Sequence, residues 1–230
     1  MSGALVEYLA LPAECCTPVP DSLDDDQATA VEPFSVGLYA AQMAQLAPGA
    51  KVGIIGSGPI GLCTLLAIRA LTQATVYITD LLDERLAVAR TCGADWTGNP
   101  RRQDVVKSIG QLEPLGMDAV FECAGEQEAL DQGLELLKPG GALLVIGIPE
   151  IDRISLDINL MRRNELRVLN VRRQNECVVP AIEMIASGRV DIRLLITHHF
   201  PLDDAPRAFE LVAARHDGVL KAMIHISPQA

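Results

Sequence analysis

Residues 56–61 read Gly56-Ser57-Gly58-Pro59-Ile60-Gly61 and directly follow the apolar run Lys51–Ile55. A glycine pattern of this kind is weak evidence alone and gains force from the strand before it and the helix and acid after it. Gly56 permits a sharp turn out of a strand, Gly58 lets the backbone approach a pyrophosphate, and Gly61 lets the next helix pack closely on the strand. Pro59 suits the first helical position, where its missing N–H is not needed. The helix that follows, Pro59–Leu71, then presents free N–H groups and a positive dipole end to an anion. The β-branched and aromatic run 75–80 reads as the next strand, and it delivers Asp80 roughly 20 residues beyond the loop. That is where a carboxylate can accept hydrogen bonds from an adenosine ribose. The plainer alternative is an ordinary glycine turn with Asp80 capping a loop. Strand, loop, helix, strand and acid in this order favour a dinucleotide site over that alternative.

The rest of the chain extends the same alternation. Residues 83–92 read as a helix with Asp83 as N-cap and Gly93 as its stop. Residues 104–112 read as a weaker helix, 117–123 as a strand and 126–138 as a helix with apolar positions at helical spacing. Pro139-Gly140-Gly141 reads as a turn, and 142–147 and 166–171 as strands. Strands joined by helical crossovers make a mostly parallel sheet. About six strands predict a doubly wound α/β fold of Rossmann type. Hydrophobic residues make up 49% of the 230 residues but aromatics only 3%, so the core is aliphatic, as suits a sheet covered on both faces. The ends differ. Residues 5–11 read as a short strand, 179–187 as a helix stopped by Gly188, 194–200 as extended, Ala205–Ala214 as helical and 219–226 as extended.

The net charge of −11 argues against nucleic acid and anionic membrane surfaces as partners. The longest apolar stretches fall far short of the ~20 residues of a spanning helix. The first ten residues lack a basic region followed by an apolar core, so a cytoplasmic protein is expected. Six scattered cysteines, none in a C-x-x-C arrangement, read mostly as buried small hydrophobes rather than a disulfide framework.

In order along the chain, the motifs 31–37 (Val-Glu-Pro-Phe-Ser-Val-Gly), 56–61, Thr79-Asp80 with Arg85 and Leu86, Gly93-Ala94-Asp95, and 121–125 (Phe-Glu-Cys-Ala-Gly) appear. They are followed by Gly140-Gly141, 145–148 (Val-Ile-Gly-Ile), 197–202 (Thr-His-His-Phe-Pro-Leu) and 221–224 (Lys-Ala-Met-Ile). In this order they resemble the zinc-dependent medium-chain dehydrogenases, nearest the sorbitol (polyol) and threonine dehydrogenase branch. The resemblance implies a Rossmann domain at 33–170 flanked by remnants of a GroES-like catalytic domain, a residual strand within 1–32 and a returning segment at 171–230. It implies NAD as cofactor, with Gly56, Gly58, Pro59, Ile60 and Gly61 at the phosphates and Asp80 and Arg85 framing the ribose. Ile146, Gly147 and Ile148 would line the nicotinamide. Val171, Arg172 and Arg173 would sit where cofactor meets substrate, with Arg173 matching a substrate-contacting arginine. Glu32 matches a glutamate beside the catalytic zinc, a water-mediated ligand at most; its plainer reading is a cap for the helix after Pro33. Gln174 departs from the polyol pattern, which has tyrosine there, and so weakens the case for a polyol.

Relatives of this type carry roughly another hundred residues before Leu5, holding a zinc-binding cysteine and a Gly-His-Glu motif. Neither Gly-His-Glu nor H-E-x-x-H occurs here. Zinc is therefore expected in full-length relatives but not on this chain. His198-His199 point to opposite faces of an extended segment and cannot easily share one metal; they read as solvated or core histidines. Cys15-Cys16 read as small residues at a strand end. The functional expectation is the NAD-binding part of an oxidoreductase that moves hydride between NAD and a secondary alcohol or polyol. A homodimer or tetramer is expected to form through the edge at 143–148 and 166–171. The alternatives are a truncated dinucleotide-binding module without turnover, and an S-adenosylmethionine methyltransferase, against which Gly61 and residues 146–148 argue.

Overall fold

The structure, a computed structural model, describes residues 3–226. Its centre is a six-stranded, all-parallel sheet. The strands are β1 Lys51–Ile55, β2 Thr75–Thr79, β3 Trp96–Gly98, β4 Met117–Glu122, β5 Leu137–Val145 and β6 Arg167–Asn170. Their spatial order is β3-β2-β1-β4-β5-β6, the doubly wound dinucleotide order. The order reverses between β1 and β4, and the strand ends there open a crevice.

Alternation along the strands divides the core between the two faces. Val52, Ile54, Val76, Ile78, Phe121 and Leu144 face one layer. That layer is built from α1 Asp25–Met43, α2 Pro59–Leu71 and α7 Val178–Ala186. Ile55, Tyr77, Val120 and Leu143 face the other layer, where α4 Val105–Leu112, α5 Gln127–Leu136 and α6 Ile158–Arg163 lie. Helix α3 Asp83–Thr91 joins β2 to β3 and buries Leu86 and Ala89.

Helix α1 starts at a capping box in which Asp24 accepts from the Gln27 N–H and the Gln27 side chain accepts from the Asp24 N–H. It continues through Pro33 because its face at Ala30, Phe34 and Leu38 is fully buried. A Cβ at Gly37 would stand 2.6 Å from the Cys63 backbone, so α1 and α2 approach nearly backbone to backbone. The helix thus crosses position 32–33, where the sequence suggests a boundary, and Glu32 lies on an exposed mid-helix position. It caps nothing; Asp24 holds that role.

Other expectations shift for local reasons. Residues 5–11 form no strand and pair with no strand of the described residues; Tyr8 is 92% exposed. An extended segment without a ladder partner leaves its backbone groups to water. Asp83 is the first residue of α3, preceded by Leu82 at the cap, and it bonds Asn99 and Arg102 instead. Pro139-Gly140-Gly141 bulges within β5: Met117 pairs with Leu137 but Ala119 with Ala142, and Gly140 takes φ +76°. Strand β3 and helix α6 are additions that the sequence pattern did not predict.

After α7, β7 Ile196–Pro201 and β8 Lys221–His225 form a separate parallel ribbon, with α8 Ala205–Ala214 as the crossover between them. A bulge at Thr197 shifts the register, so His199 pairs with Met223 and Pro201 with His225. No helix among the described residues is long and apolar enough to cross a membrane.

Candidate functional site

At the C-terminal edge of the sheet, β1 ends in Gly56 at φ +99°, and the Gly56 N–H donates to the Thr79 carbonyl at 2.8 Å. A Cβ on Gly61 would stand 1.9 Å from the Gly56 carbonyl oxygen, so only glycine lets α2 start this close to the loop. Gly58 occupies the cap position of α2 with no side-chain cap, and Pro59 follows in its first turn. The first-turn N–H groups of α2 have no intrahelical acceptor and face the region where an anion is favoured by the helix dipole.

Asp80 closes this cradle from β2. Its Oδ2 accepts from the Ser57 N–H at 2.7 Å and its Oδ1 from the Leu82 N–H at 2.8 Å. Each oxygen keeps a further lone pair for a ribose hydroxyl. The Ser57 hydroxyl donates to the Arg85 carbonyl at 3.0 Å. Arg85 Nη1 lies 3.4 Å from where a Cβ on Gly58 would sit. Its Nη2 makes a long bond to the Val219 carbonyl, 3.4 Å, and its Nε is buried without a partner. Burial lowers the Arg85 pKa, the Asp80 charge counters that, and Arg215 adds to it. Arg85 Nη1 beside the side-chain-free Gly58, the uncapped helix start and the Asp80 carboxylate lie together at this edge, and these residues fit a dinucleotide's ribose and phosphates.

Three loops meet at the switch point. A Cβ on Gly56 would lie 3.1 Å from the Ala124 nitrogen, and one on Gly125, at φ +74°, would lie 2.7 Å from the Ile148 carbonyl oxygen. The glycine loop therefore touches the loop after β4, which touches the Ile146-Gly147-Ile148 loop after β5. Beneath them sits Glu122, 1% exposed. Its Oε1 accepts from the Ala124 and Gly125 N–H groups, both at 2.6 Å. Burial pushes its carboxyl above the ordinary range, while backbone N–H groups, including that of Gly147, pull it back. Glu122 was not nominated from the sequence as a site residue. The available signal was a carboxylate ending an apolar strand just before Cys-Ala-Gly.

The other nominated residues spread along the same edge. Ile146 is buried and Ile148 is 90% exposed at the rim. Val171 is tied to β5 by its N–H to the Val145 carbonyl at 2.9 Å. Arg172 and Arg173 are exposed just beyond it, and Arg173 takes φ +53°. Glu32 stands apart on α1, and Ser35 donates its hydroxyl to the Glu32 carbonyl.

Among the described residues, one group can hold a metal ion, and it is not built on Glu32: Asp26, His199 and His225. The adjacent histidines divide as alternation requires. His198 bonds Thr197 and Asp217 and stacks on Phe200. His199 meets His225 at 2.8 Å and Asp26 at 3.5 Å. Cys15 and Cys16 are exposed at a short 3₁₀ turn rather than at a strand end. Cys63 is buried and Cys123 half-buried, and desolvation pushes both thiols far above the ordinary value and leaves them poor ligands or nucleophiles.

Comparison with known proteins agrees with this geometry. A family model described as zinc-binding dehydrogenase matches residues 59–187. The sorbitol dehydrogenase of Bacillus subtilis is 33% identical over 98% of this chain, which spans 64% of that protein's length. The crystal structure of 2R,3R-butanediol dehydrogenase from Bacillus subtilis superposes with a TM-score of 0.83 at 27% identity, covering 91% of this chain and 60% of that one. A protein called a zinc-binding dehydrogenase, from Sinorhizobium meliloti and solved bound to NADP, gives a TM-score of 0.84 at 28% identity, covering 90% and 61%.

Proposed function

Because the chain belongs to the zinc-binding dehydrogenase family, we propose that it holds a nicotinamide dinucleotide, NAD in preference to NADP, and serves hydride transfer between that cofactor and an alcohol or polyol. Family membership also sets the methyltransferase alternative aside. The observation that carries the reading is the Asp80–Ser57 hydrogen bond at the β1 loop, which sets a ribose-binding acid against an uncapped helix start.

When bound, the nicotinamide accepts or returns the hydride. The chain's own residues do the positioning. Asp80 orients ribose hydroxyls. The α2 N-terminus and Arg85 meet phosphate charge with fixed donors that need no reorganisation. Glu122 locks the loops after β4 and β5 against each other, so the wall at Ile146 and Gly147 stays in place. Val171, Arg172 and Arg173 border the rim where substrate enters. The test is calorimetry with NAD and NADP, together with an assay for NADH formation from simple alcohols, polyols and threonine in the presence of zinc. Absence of any dinucleotide binding would overturn the reading.

A second reading is dinucleotide binding without turnover: the cradle at Gly58, Asp80 and Arg85 is built without any contribution from Glu32. Binding of NADH with no turnover of any of these alcohols would select it. Six cysteines without a disulfide-framework spacing support a reducing, cytoplasmic setting. The edge strand β6 supports self-association.

A further inference from the structure

We propose that Asp26, His199 and His225 form a binding site for a divalent ion of the zinc class, which ties the first turn of α1 to the β7–β8 ribbon. The fold brings these residues together from positions far apart in the chain. The bulge at Thr197 sets a register in which His199 pairs with Met223 and Pro201 with His225. Paired residues two apart line one face of a ribbon, so both imidazoles share the face that carries buried Met223. Asp26 approaches from the first turn of α1, which the Asp24–Gln27 capping box fixes.

The donor atoms converge. His199 Nδ1 and His225 Nε2 are 2.8 Å apart, His199 Nδ1 is 3.5 Å from Asp26 Oδ2, and His225 Nε2 is 4.0 Å from Asp26 Oδ1. Bonds of about 2.1 Å in a tetrahedral site separate ligand atoms by roughly 3.4 Å. The three observed separations straddle that value, and movements of about half an ångström bring them to it. Each imidazole can offer a lone pair at the facing nitrogen by carrying its proton on the other. Two imidazoles and one carboxylate suit Zn²⁺, Co²⁺ or Ni²⁺ rather than Mg²⁺ or Ca²⁺, which take oxygen ligands. The side chains are part-exposed, 47% for His199, 20% for His225 and 24% for Asp26, which leaves room for water to complete the shell. Reading His198 and His199 as neighbours hid this site, because His199's partner lies on the next strand.

The inference is independent of the dinucleotide reading: its failure leaves the Asp80–Ser57 geometry untouched. The experiment titrates ZnCl₂ into the chelator-stripped full chain by calorimetry, in a Cys15→Ser/Cys16→Ser background that removes the exposed thiols. One saturable site is expected, weakened at least tenfold by His199→Ala, His225→Ala or Asp26→Asn and unchanged by His198→Ala. Zinc should raise the melting temperature of the parent chain and not that of the His199→Ala/His225→Ala variant, because a ligand that binds only the folded state stabilises it. Nitrogen-15 NMR of the parent chain gives a readout that no substitution can disturb: the ring nitrogens of His199 and His225 should shift on zinc addition, and those of His198 should not. Absence of saturable binding, equal affinity in the double variant, or zinc shifts at His198 in place of His199 and His225 would each overturn the proposal.

Discussion

The Asp80 carboxylate accepts a 2.7 Å hydrogen bond from the Ser57 N–H, so the acid that ends β2 braces the loop that ends β1. Under the proposed function the same group should favour NAD over NADP. A hydrogen bond to a charged group contributes about 1.5–3 kcal/mol, and a 2′-phosphate would place ~1.5–2 negative charges beside this carboxylate. NAD should bind at least about tenfold more tightly than NADP, since 1.4 kcal/mol is one decade. Asp80→Asn should shrink that ratio. Calorimetry giving equal dissociation constants for the unaltered chain would contradict the assignment, and the NADP-bound relative makes the comparison a necessary one.

Glycine substitutions should act with opposite signs at two positions. A Cβ at Gly61 would meet the Gly56 carbonyl at 1.9 Å, whereas one at Gly110 meets nothing within 4 Å. Gly61→Ala should destabilise by about 1–3 kcal/mol through overpacking and reduce dinucleotide affinity as the loop shifts. Gly110→Ala, inside α4, should stabilise by about 0.5–1 kcal/mol. Urea melts of the two variants give the comparison directly; equal effects would mean that the loop tolerates the side chain.

The fold was legible where short-range pattern and tertiary structure agree. Helix α2 begins at Pro59 and α8 ends at Ala214 as the sequence suggests, because proline near a helix start and a continuous apolar face are local signals. Strand β3 has three residues and α6 has six, too few to show a period. The run 5–11 is short, apolar and strand-like, but whether a strand forms depends on a partner, and that is not a property of the run. The residues proposed for phosphate and ribose stand out in the sequence because Gly56, Gly61 and Asp80 are set at a fixed spacing by one crossover. Glu122 and the Asp26–His199–His225 group do not. Their meaning lies in which loops and strands pack together, and the ribbon's register turns on one bulge at Thr197.

Glu122 predicts a pH dependence. Burial raises its carboxyl pKa in the fold above the ordinary 4.5, so the folded state holds this proton more tightly than the unfolded state. The resulting stabilisation is fully present below the unfolded value and is lost as pH rises through the raised folded value. Glu122→Gln keeps an oxygen for the Ala124 and Gly125 N–H groups but cannot ionise. The decline in urea midpoint above about pH 4.5 should therefore be shallower in the variant. An identical slope in both proteins would place the titration elsewhere.

Strand β6 is an edge of the main sheet, and its Val168 and Leu169 are only partly buried. An edge ladder with apolar side chains favours pairing with a second copy. Tyr8, Leu9 and Leu11, exposed near the N-terminus, add apolar surface that also promotes association. Sedimentation equilibrium should give a mass that rises with concentration toward a dimer or above. A monomer mass that stays constant across concentrations would remove β6 as an interface.

Arg85 separates binding from folding. Its Nε is buried without an acceptor, and its side-chain hydrogen bond to the Val219 carbonyl is long at 3.4 Å. A buried donor left unpaired costs about 1–3 kcal/mol, and Arg215 adds like-charge repulsion that partly offsets the attraction of Asp80. Arg85→Leu removes both penalties while keeping much of the apolar stem. Its melting temperature should therefore match or exceed that of the parent chain. A bound dinucleotide, by contrast, would set phosphate oxygens beside the Arg85 Nη1 that lies next to Gly58. Losing that charged hydrogen bond should weaken NAD by about tenfold or more, from the same 1.5–3 kcal/mol. The affinity lost should also be smaller at high salt, because a phosphate–guanidinium attraction at a partly exposed site is screened in part. Thermal melts and calorimetry at two ionic strengths test the pair of effects together. A variant that melts lower yet binds NAD unchanged would show that Arg85 serves the fold and not the cofactor.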